Sequence, residues 1–94
     1  MRNAILLAVL FLLPTATQAD TLAGHAFRMA RRGAIWHDRH RGGGSEVVAR
    51  VKPGLGQRAR AIAAWRRSRP HAAILRAPGR LRIRCIRGFC VGRK

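Results

Sequence analysis

Hydrophobic and polar residues follow helical and strand-like periods along most of this chain. Apolar side chains recur at helical spacing from about Leu22 to Arg32, and Gly33 follows as a residue typical of a helix end. Asp20 and Thr21 both precede this stretch and are suitable N-caps. The pattern therefore predicts a first helix.

A second helical pattern covers residues 56–68. Its apolar face is rich in alanine and carries Trp65, which we expect to anchor the helix in the core. Pro70 disfavours helical geometry at the residue before it, so this helix should end at Arg69. The apolar run that follows, residues 71–75, has room for one or two further helical turns.

Strand-like patterns occupy two other segments. Residues 46–51 carry β-branched side chains at both odd and even positions, so both faces of the segment are apolar. This pattern predicts a short buried strand or extended segment. Residues 80–85 alternate between arginine and apolar side chains, as in a strand with one face in water. These segments and the helices predict an α+β domain with two to three helices on a short antiparallel sheet.

The C-terminal strand pattern also predicts a disulfide hairpin. A turn centred on Arg87 and Gly88 would place Cys85 opposite Cys90. That pair is a non-hydrogen-bonded one, in which Cα atoms are closest and a cross-strand disulfide can form. Two free thiols are the alternative, and two cysteines alone are too few for a zinc site.

Residues 1–19 have the order of a secretory signal peptide. Arg2 gives a positive start, residues 4–13 are apolar, and Thr17-Gln18-Ala19 offers a small-residue cleavage site. The apolar run is too short to cross a bilayer, which disfavours the alternative of an N-terminal membrane anchor. We therefore predict a secreted or periplasmic protein whose domain comprises residues 20–94, with no transmembrane segment after cleavage.

The charge is extreme for so short a chain. Twenty basic residues face three acidic ones, giving a formal net charge of +17, and all the basic residues but Lys52 and Lys94 are arginine. A field of this size attracts anionic wall polymers, lipid headgroups and, without sequence specificity, nucleic acid. Background from an arginine-rich genome is the alternative explanation. So few carboxylates exclude a paired-carboxylate hydrolase.

Three residues at the edges of apolar segments are candidates for a polar site: His37, Glu46 and His71. Two neutral imidazoles and a carboxylate could hold a divalent metal, Zn²⁺ or Mg²⁺, or line a cleft without metal. An ion pair within the fold is the alternative role for Glu46, the only glutamate. His25, on the apolar stripe of the first helix, is expected to be a packing residue. No nucleophile accompanies them, so we expect no enzyme.

Three motifs follow one another along most of the predicted domain. They are Met29-Ala30-Arg31-Arg32-Gly33 with Trp36-His37, then Ser45-Glu46-Val47-Val48-Ala49, and then Ala64-Trp65-Arg66-Arg67-Ser68-Arg69-Pro70-His71-Ala72-Ala73-Ile74-Leu75. This order resembles the bacterial branch of the CAP superfamily, also called the SCP domain, which includes the cysteine-rich secretory, antigen 5 and pathogenesis-related proteins. The resemblance covers about residues 22–92.

The resemblance implies an α-β-α sandwich in which His37, Glu46 and His71 line one central cleft, in some members with a bound divalent cation. It implies varied binding roles rather than a common reaction. The sequence thus predicts an exported, non-catalytic, CAP-like binding protein that acts at the cell envelope or outside the cell. The alternative is a cationic effector that binds membranes, wall polymers or nucleic acid through its arginines.

Overall fold

The computed structural model describes residues 20–94, so the predicted signal peptide, residues 1–19, lies outside the described residues. In the described part the chain forms helices and an antiparallel sheet, which confirms the α+β class. In chain order the elements are α1 (Leu22–Arg32), β1 (Glu46–Arg50), α2 (Gln57–Arg66), α3 (Arg69–Arg76), β2 (Arg82–Ile86) and β3 (Phe89–Arg93).

Helix α1 has the bounds that its pattern predicts. The Oγ1 atom of Thr21 accepts a hydrogen bond from the backbone N–H of Gly24 at 2.9 Å, so Thr21 rather than Asp20 is the N-cap. Gly33 ends the helix with a φ of 68°, and its N–H donates to the carbonyl of Met29. These two ends fix the direction in which the following loop leaves the helix.

The second predicted helix is shorter than its pattern, and the segment after it forms a helix of its own. Helix α2 ends at Arg66, and Ser68 then takes extended geometry with φ −108° and ψ 123°. The expectation that helical geometry fails at Arg69 is therefore wrong, because Arg69 opens α3. Pro70 fits the first turn of that helix, where a backbone N–H has no intrahelical acceptor.

The sheet has the strand order β1-β3-β2, so β3 is central and buried along its whole length. The predicted turn joins β2 to β3, with a positive φ at both Arg87 (49°) and Gly88 (85°), as the right-handed twist of a tight hairpin requires. Cys85 pairs with Cys90 in the register, with their Cα atoms 4.0 Å apart, and the two form a disulfide. The disulfide hairpin is confirmed.

Helices cover both faces of the sheet. On one face α1 packs on β3, in a cluster of Ala26, Met29, Phe89 and Val91. On the other face α2 and α3 cover a core of Val47, Ala49, Ala61, Trp65 and Cys90. The described residues therefore form an α-β-α arrangement on a sheet of three strands.

Alternation along β1 decides which side chains meet which helices. Val47 and Ala49 belong to the core under α2 and α3, whereas Val48 packs on the opposite cluster under α1. Glu46 has the parity of Val48 and therefore faces α1. Trp65 is 1% exposed, and its indole N–H donates to the backbone carbonyl of Val48 at 3.0 Å, which ties α2 to β1.

Candidate functional site: a buried carboxylate cluster and the groove above it

All the acidic side chains of the protein meet in one cluster on the α1 side of the sheet. Asp20 precedes α1, Asp38 lies in the loop that follows it, and Glu46 opens β1. Asp38 and Glu46 are buried, with 4% and 5% of their surfaces exposed. Burial of carboxylates is unfavourable unless cations and hydrogen-bond donors compensate it.

Arg93 contacts both buried carboxylates. It is the partner of Glu46 in the register of β1 and β3, and its Nε atom donates to Oε2 of Glu46 at 3.0 Å. Its Nη2 donates to Oδ2 of Asp38 at 3.0 Å, and its Nη1 donates to the backbone carbonyl of Asp20 at 2.6 Å. One buried guanidinium thus joins the strand end, the loop and the segment before α1.

His37 is the exposed member of the cluster. Its Nδ1 atom lies 3.0 Å from Oε1 of Glu46, and 56% of the His37 side chain is accessible against 1% of that of Glu46. The backbone N–H of Asp38 donates to the same Oε1 at 2.9 Å, which fixes the carboxylate. An imidazole that donates Nδ1–H to a carboxylate keeps Nε2 as an acceptor, so His37 can receive a hydrogen bond from a ligand.

The pKa of Asp38 is held below its usual value of 3.8. Burial has the largest influence and acts to raise this pKa. The opposing influences together outweigh it. The backbone N–H of His40 donates to Oδ1 of Asp38 at 2.9 Å, which lowers the pKa, and the Asp20 side chain, His25 and Arg93 lower it further. Asp38 is therefore an anion at neutral pH.

His25 is completely buried beneath this loop. Its Nε2 atom lies 2.7 Å from the backbone carbonyl of Trp36, to which it donates, and the two rings meet edge to face with centroids 5.3 Å apart. Its Nδ1 atom lies 3.9 Å from Oδ2 of Asp38 and has no hydrogen-bond partner. His25 thus packs the loop against α1, in agreement with its expected packing role.

A groove of about 470 Å³ opens beside the cluster, and we name it the Trp36 groove. Its lining residues are Asp20, Arg28, Arg32, Trp36, His37, Asp38, Arg39 and His40. The guanidinium of Arg32 lies 5.4 Å from the centroid of the Trp36 ring, at a cation–π distance. Arg28 is paired with two of the carboxylates. Within residues 20–94, Arg32 and Arg39 have no carboxylate partner, so the groove offers free positive charge.

The structure brings His37 and Glu46 together and does not bring His71 to them. His71 lies on α3, which packs through Leu75 on the sheet face that bears Val47. Glu46 belongs to the opposite face, under α1, because neighbouring residues of a strand point to opposite sides. The sheet therefore separates the two parts of the cleft that the resemblance implies.

The cluster does not fit a resident Zn²⁺ or Mg²⁺. Among residues 20–94, no three His, Cys, Asp or Glu side chains lie close enough together to hold a metal ion. Both oxygens of Glu46 are engaged, Oε1 by His37 and the Asp38 N–H, and Oε2 by Arg93. The guanidinium stands where a cation would bind. The predicted metal ligands, His37 and His71, are not assembled into a site.

The remaining cations lie outside the cluster. A set of exposed arginines, which we name the arginine surface, comprises Arg31, Arg32, Arg39, Arg50, Arg58, Arg66, Arg67, Arg69, Arg76, Arg80, Arg82, Arg84 and Arg87. The protein has only three acidic side chains, and all of them lie in the cluster. The arginine surface therefore has no acidic side chain to pair with.

Local sequence pattern does not identify two members of the cluster, Asp38 and Arg93, as site residues. The role of Arg93 depends on the register of β1 against β3, which no local pattern reveals. A signal for Asp38 was present in the composition. In a chain with so few carboxylates, each one is a candidate partner for a buried cation, and Asp38 stands beside the candidate His37.

Within residues 20–94, no helix is both long and apolar enough to cross a membrane. Comparisons of the chain with family models, with curated proteins and with solved structures find no match.

Proposed function

We propose that this protein is an exported, non-catalytic, CAP-like binding protein. It uses the arginine surface to hold anionic polymers or lipid headgroups at the cell envelope or outside the cell. Nucleic acid would bind through the same charge without sequence specificity.

The partition of charge carries this proposal. The carboxylates of Asp38, Glu46 and Asp20 are paired with Arg93, Arg28 and His37. They therefore stabilise the fold and do not neutralise the charge of the exposed arginines. The exposed arginines repel one another, and an anionic partner relieves this repulsion. Guanidinium groups bind phosphate and carboxylate in a bidentate manner, which suits wall polymers and lipid headgroups alike.

The Trp36 groove is the place where a single anionic group would be recognised. His37 is oriented by Glu46 with Nε2 free to accept, while Arg39 and the stacked Arg32 supply donors. A ligand with an anionic and a hydroxyl group would match this set of donors and acceptors. The groove thus replaces the three-residue cleft as the candidate binding site, because His71 lies on the other side of the sheet.

Salt dependence tests the proposal. The purified protein is titrated with vesicles of phosphatidylglycerol and phosphatidylcholine, with vesicles of phosphatidylcholine alone, and with inorganic polyphosphate, at NaCl concentrations from about 50 to 200 mM. We expect binding to both anionic probes and a loss of affinity of about tenfold or more across this range, because bound counterions are released on association. Neutral vesicles should bind much more weakly.

Absence of binding to both anionic probes at the lowest salt concentration would refute the proposed function. Binding that salt does not weaken would refute it as well, since the arginine surface could not then be the cause.

A further inference from the structure

The loop between β1 and α2 presents an apolar side chain to solvent without any cover. Leu55 is 100% exposed, whereas the other large apolar residues exposed within residues 20–94, Phe27 and Ile35, are about half exposed, at 49% and 47%. Single exposed leucines are common and need no explanation by themselves. What distinguishes Leu55 is how rigidly the loop around it is held.

Backbone geometry and hydrogen bonds fix this loop independently of the leucine side chain. Gly54 and Gly56 flank Leu55 with positive φ values of 95° and 82°, which β-carbon-bearing residues rarely adopt. The backbone N–H of Gln57 donates to the carbonyl of Gly54 at 3.1 Å. The guanidinium of Arg60 closes the loop, with donors 2.6 and 3.1 Å from the carbonyl of Lys52 and 3.2 Å from that of Pro53.

The disulfide hairpin supports the loop from its other side. The backbone N–H of Val51 donates to the carbonyl of Gly88 at 2.7 Å, and the N–H of Gly88 donates to Oε1 of Gln57 at 2.8 Å. A β-carbon at Gly88 would lie 2.1 Å from the carbonyl oxygen of Val51, so only glycine permits this approach. The turn residue Arg87 is therefore held beside the loop.

Three exposed cations lie on the loop and on the elements that adjoin it. Lys52 and Arg58 belong to the loop and the first turn of α2, and Arg87 belongs to the adjoining hairpin turn. We name residues 52–58 together with Arg87 the Leu55 tip. A fully exposed apolar side chain, with exposed cations on the same loop and on the adjoining turn, matches the two layers of an anionic membrane surface, which has headgroup phosphates outside and acyl chains beneath.

We propose that the Leu55 tip is a membrane anchor, which places Leu55 at the boundary between headgroups and acyl chains while Lys52, Arg58 and Arg87 bind lipid phosphates. This inference rests on the proposed function and selects anionic lipid as its partner. A wall polymer or a nucleic acid backbone offers phosphate but no apolar layer for the leucine. The rigid loop favours insertion, because little conformational entropy is lost on binding.

Two variants test the anchor. Leu55→Ser should weaken binding to phosphatidylglycerol-containing vesicles about tenfold, because the lost carbons are only partly dehydrated at the interface. It should leave the affinity for inorganic polyphosphate unchanged. Ile35→Ser, which alters an exposed apolar residue outside the tip, is the matched control and should bind both probes as the wild type does.

A Leu55→Trp variant reports whether residue 55 reaches the acyl chains of the membrane. With vesicles whose acyl chains carry bromine near the headgroups, its fluorescence should be quenched more than that of the wild type, which contains only Trp36 and Trp65. Equal quenching of the two proteins would overturn the anchor, as would vesicle binding by Leu55→Ser equal to that of the wild type. In either case, salt-sensitive binding of the wild type to both anionic probes would leave the proposed function standing.

Discussion

Glu46 and Arg93 face each other across β1 and β3, and the Nε atom of the arginine lies 3.0 Å from Oε2 of the glutamate. Both side chains are nearly inaccessible, at 1% and 5%. The pair stands at the end of the sheet, where the loop that carries His37 and Asp38 returns to the fold. Arg93 also binds Asp38, so two carboxylates are held in the interior of a protein with a formal net charge of +17.

Replacement of Arg93 should be among the most damaging single changes. Arg93→Met would leave Asp38 and Glu46 buried without their cation, at a cost of about 3–5 kcal/mol in the free energy of unfolding. Arg93→Lys keeps the charge but cannot contact three oxygens with one planar group, so it should show an intermediate loss. Urea denaturation measures both. A loss below about 1 kcal/mol for Arg93→Met would show that the cluster is not a structural centre.

The free energy of unfolding should fall at acidic pH, in part because Asp38 becomes protonated. The folded pKa of this group lies below its usual value of 3.8, so the unfolded chain takes up a proton first as the pH falls. The stabilisation is therefore complete above about pH 4 and is lost as the pH falls through the lowered folded pKa. Asp38→Asn should be less stable at pH 7 and should lose less stability on acidification. An identical acid profile for the variant and the wild type in thermal unfolding would contradict this assignment.

Reduction of the Cys85–Cys90 disulfide should have a modest effect. The disulfide closes a short loop, so the stabilisation should stay below the ~3 kcal/mol expected for a 15-residue loop. The main role of the bond is to fix the register of β2 and β3 and the turn that supports the Leu55 tip. Thermal unfolding with and without dithiothreitol measures the effect. Complete unfolding on reduction at 25 °C would mean that the hairpin carries far more of the stability.

Zinc should not bind through His71. Calorimetric titration of the protein with Zn²⁺ should give no heat that depends on this residue, because α3 and the His37–Glu46 pair lie on opposite faces of the sheet. His71→Ala and His37→Ala are the variants to compare with the wild type. A one-site isotherm that disappears in His71→Ala would restore the metal site that the CAP resemblance implies.

Much of the fold could be predicted from local pattern. The bounds of α1 follow from a capping residue and a terminal glycine, and the hairpin register follows from the turn at Arg87 and Gly88 once the two cysteines are placed opposite each other. The predicted break at Arg69 is wrong, because a residue before proline can still open a helix when the proline lies in the first turn. Ser68 absorbs the change of direction instead.

The site was predicted only in part, for a geometric reason. His37 and Glu46 are separated by one loop, and their hydrogen bond joins the end of that loop to the start of β1. Whether His71 lies near them depends on which face of the sheet α3 covers. A shift of β1 by one residue would move Glu46 to the opposite face, the one that α3 covers. Arg93 depends on long-range strand pairing, which sequence periodicity does not report.

The most direct test of the charge partition is the salt dependence of polyphosphate binding in two matched variants. One carries glutamine and the other lysine at Arg66, Arg67 and Arg69, three exposed members of the arginine surface at the junction of α2 and α3. We expect the plot of log affinity against log NaCl concentration to be shallower for the glutamine variant and close to the wild type for the lysine variant. Equal slopes for all three proteins would contradict a function based on the exposed arginines.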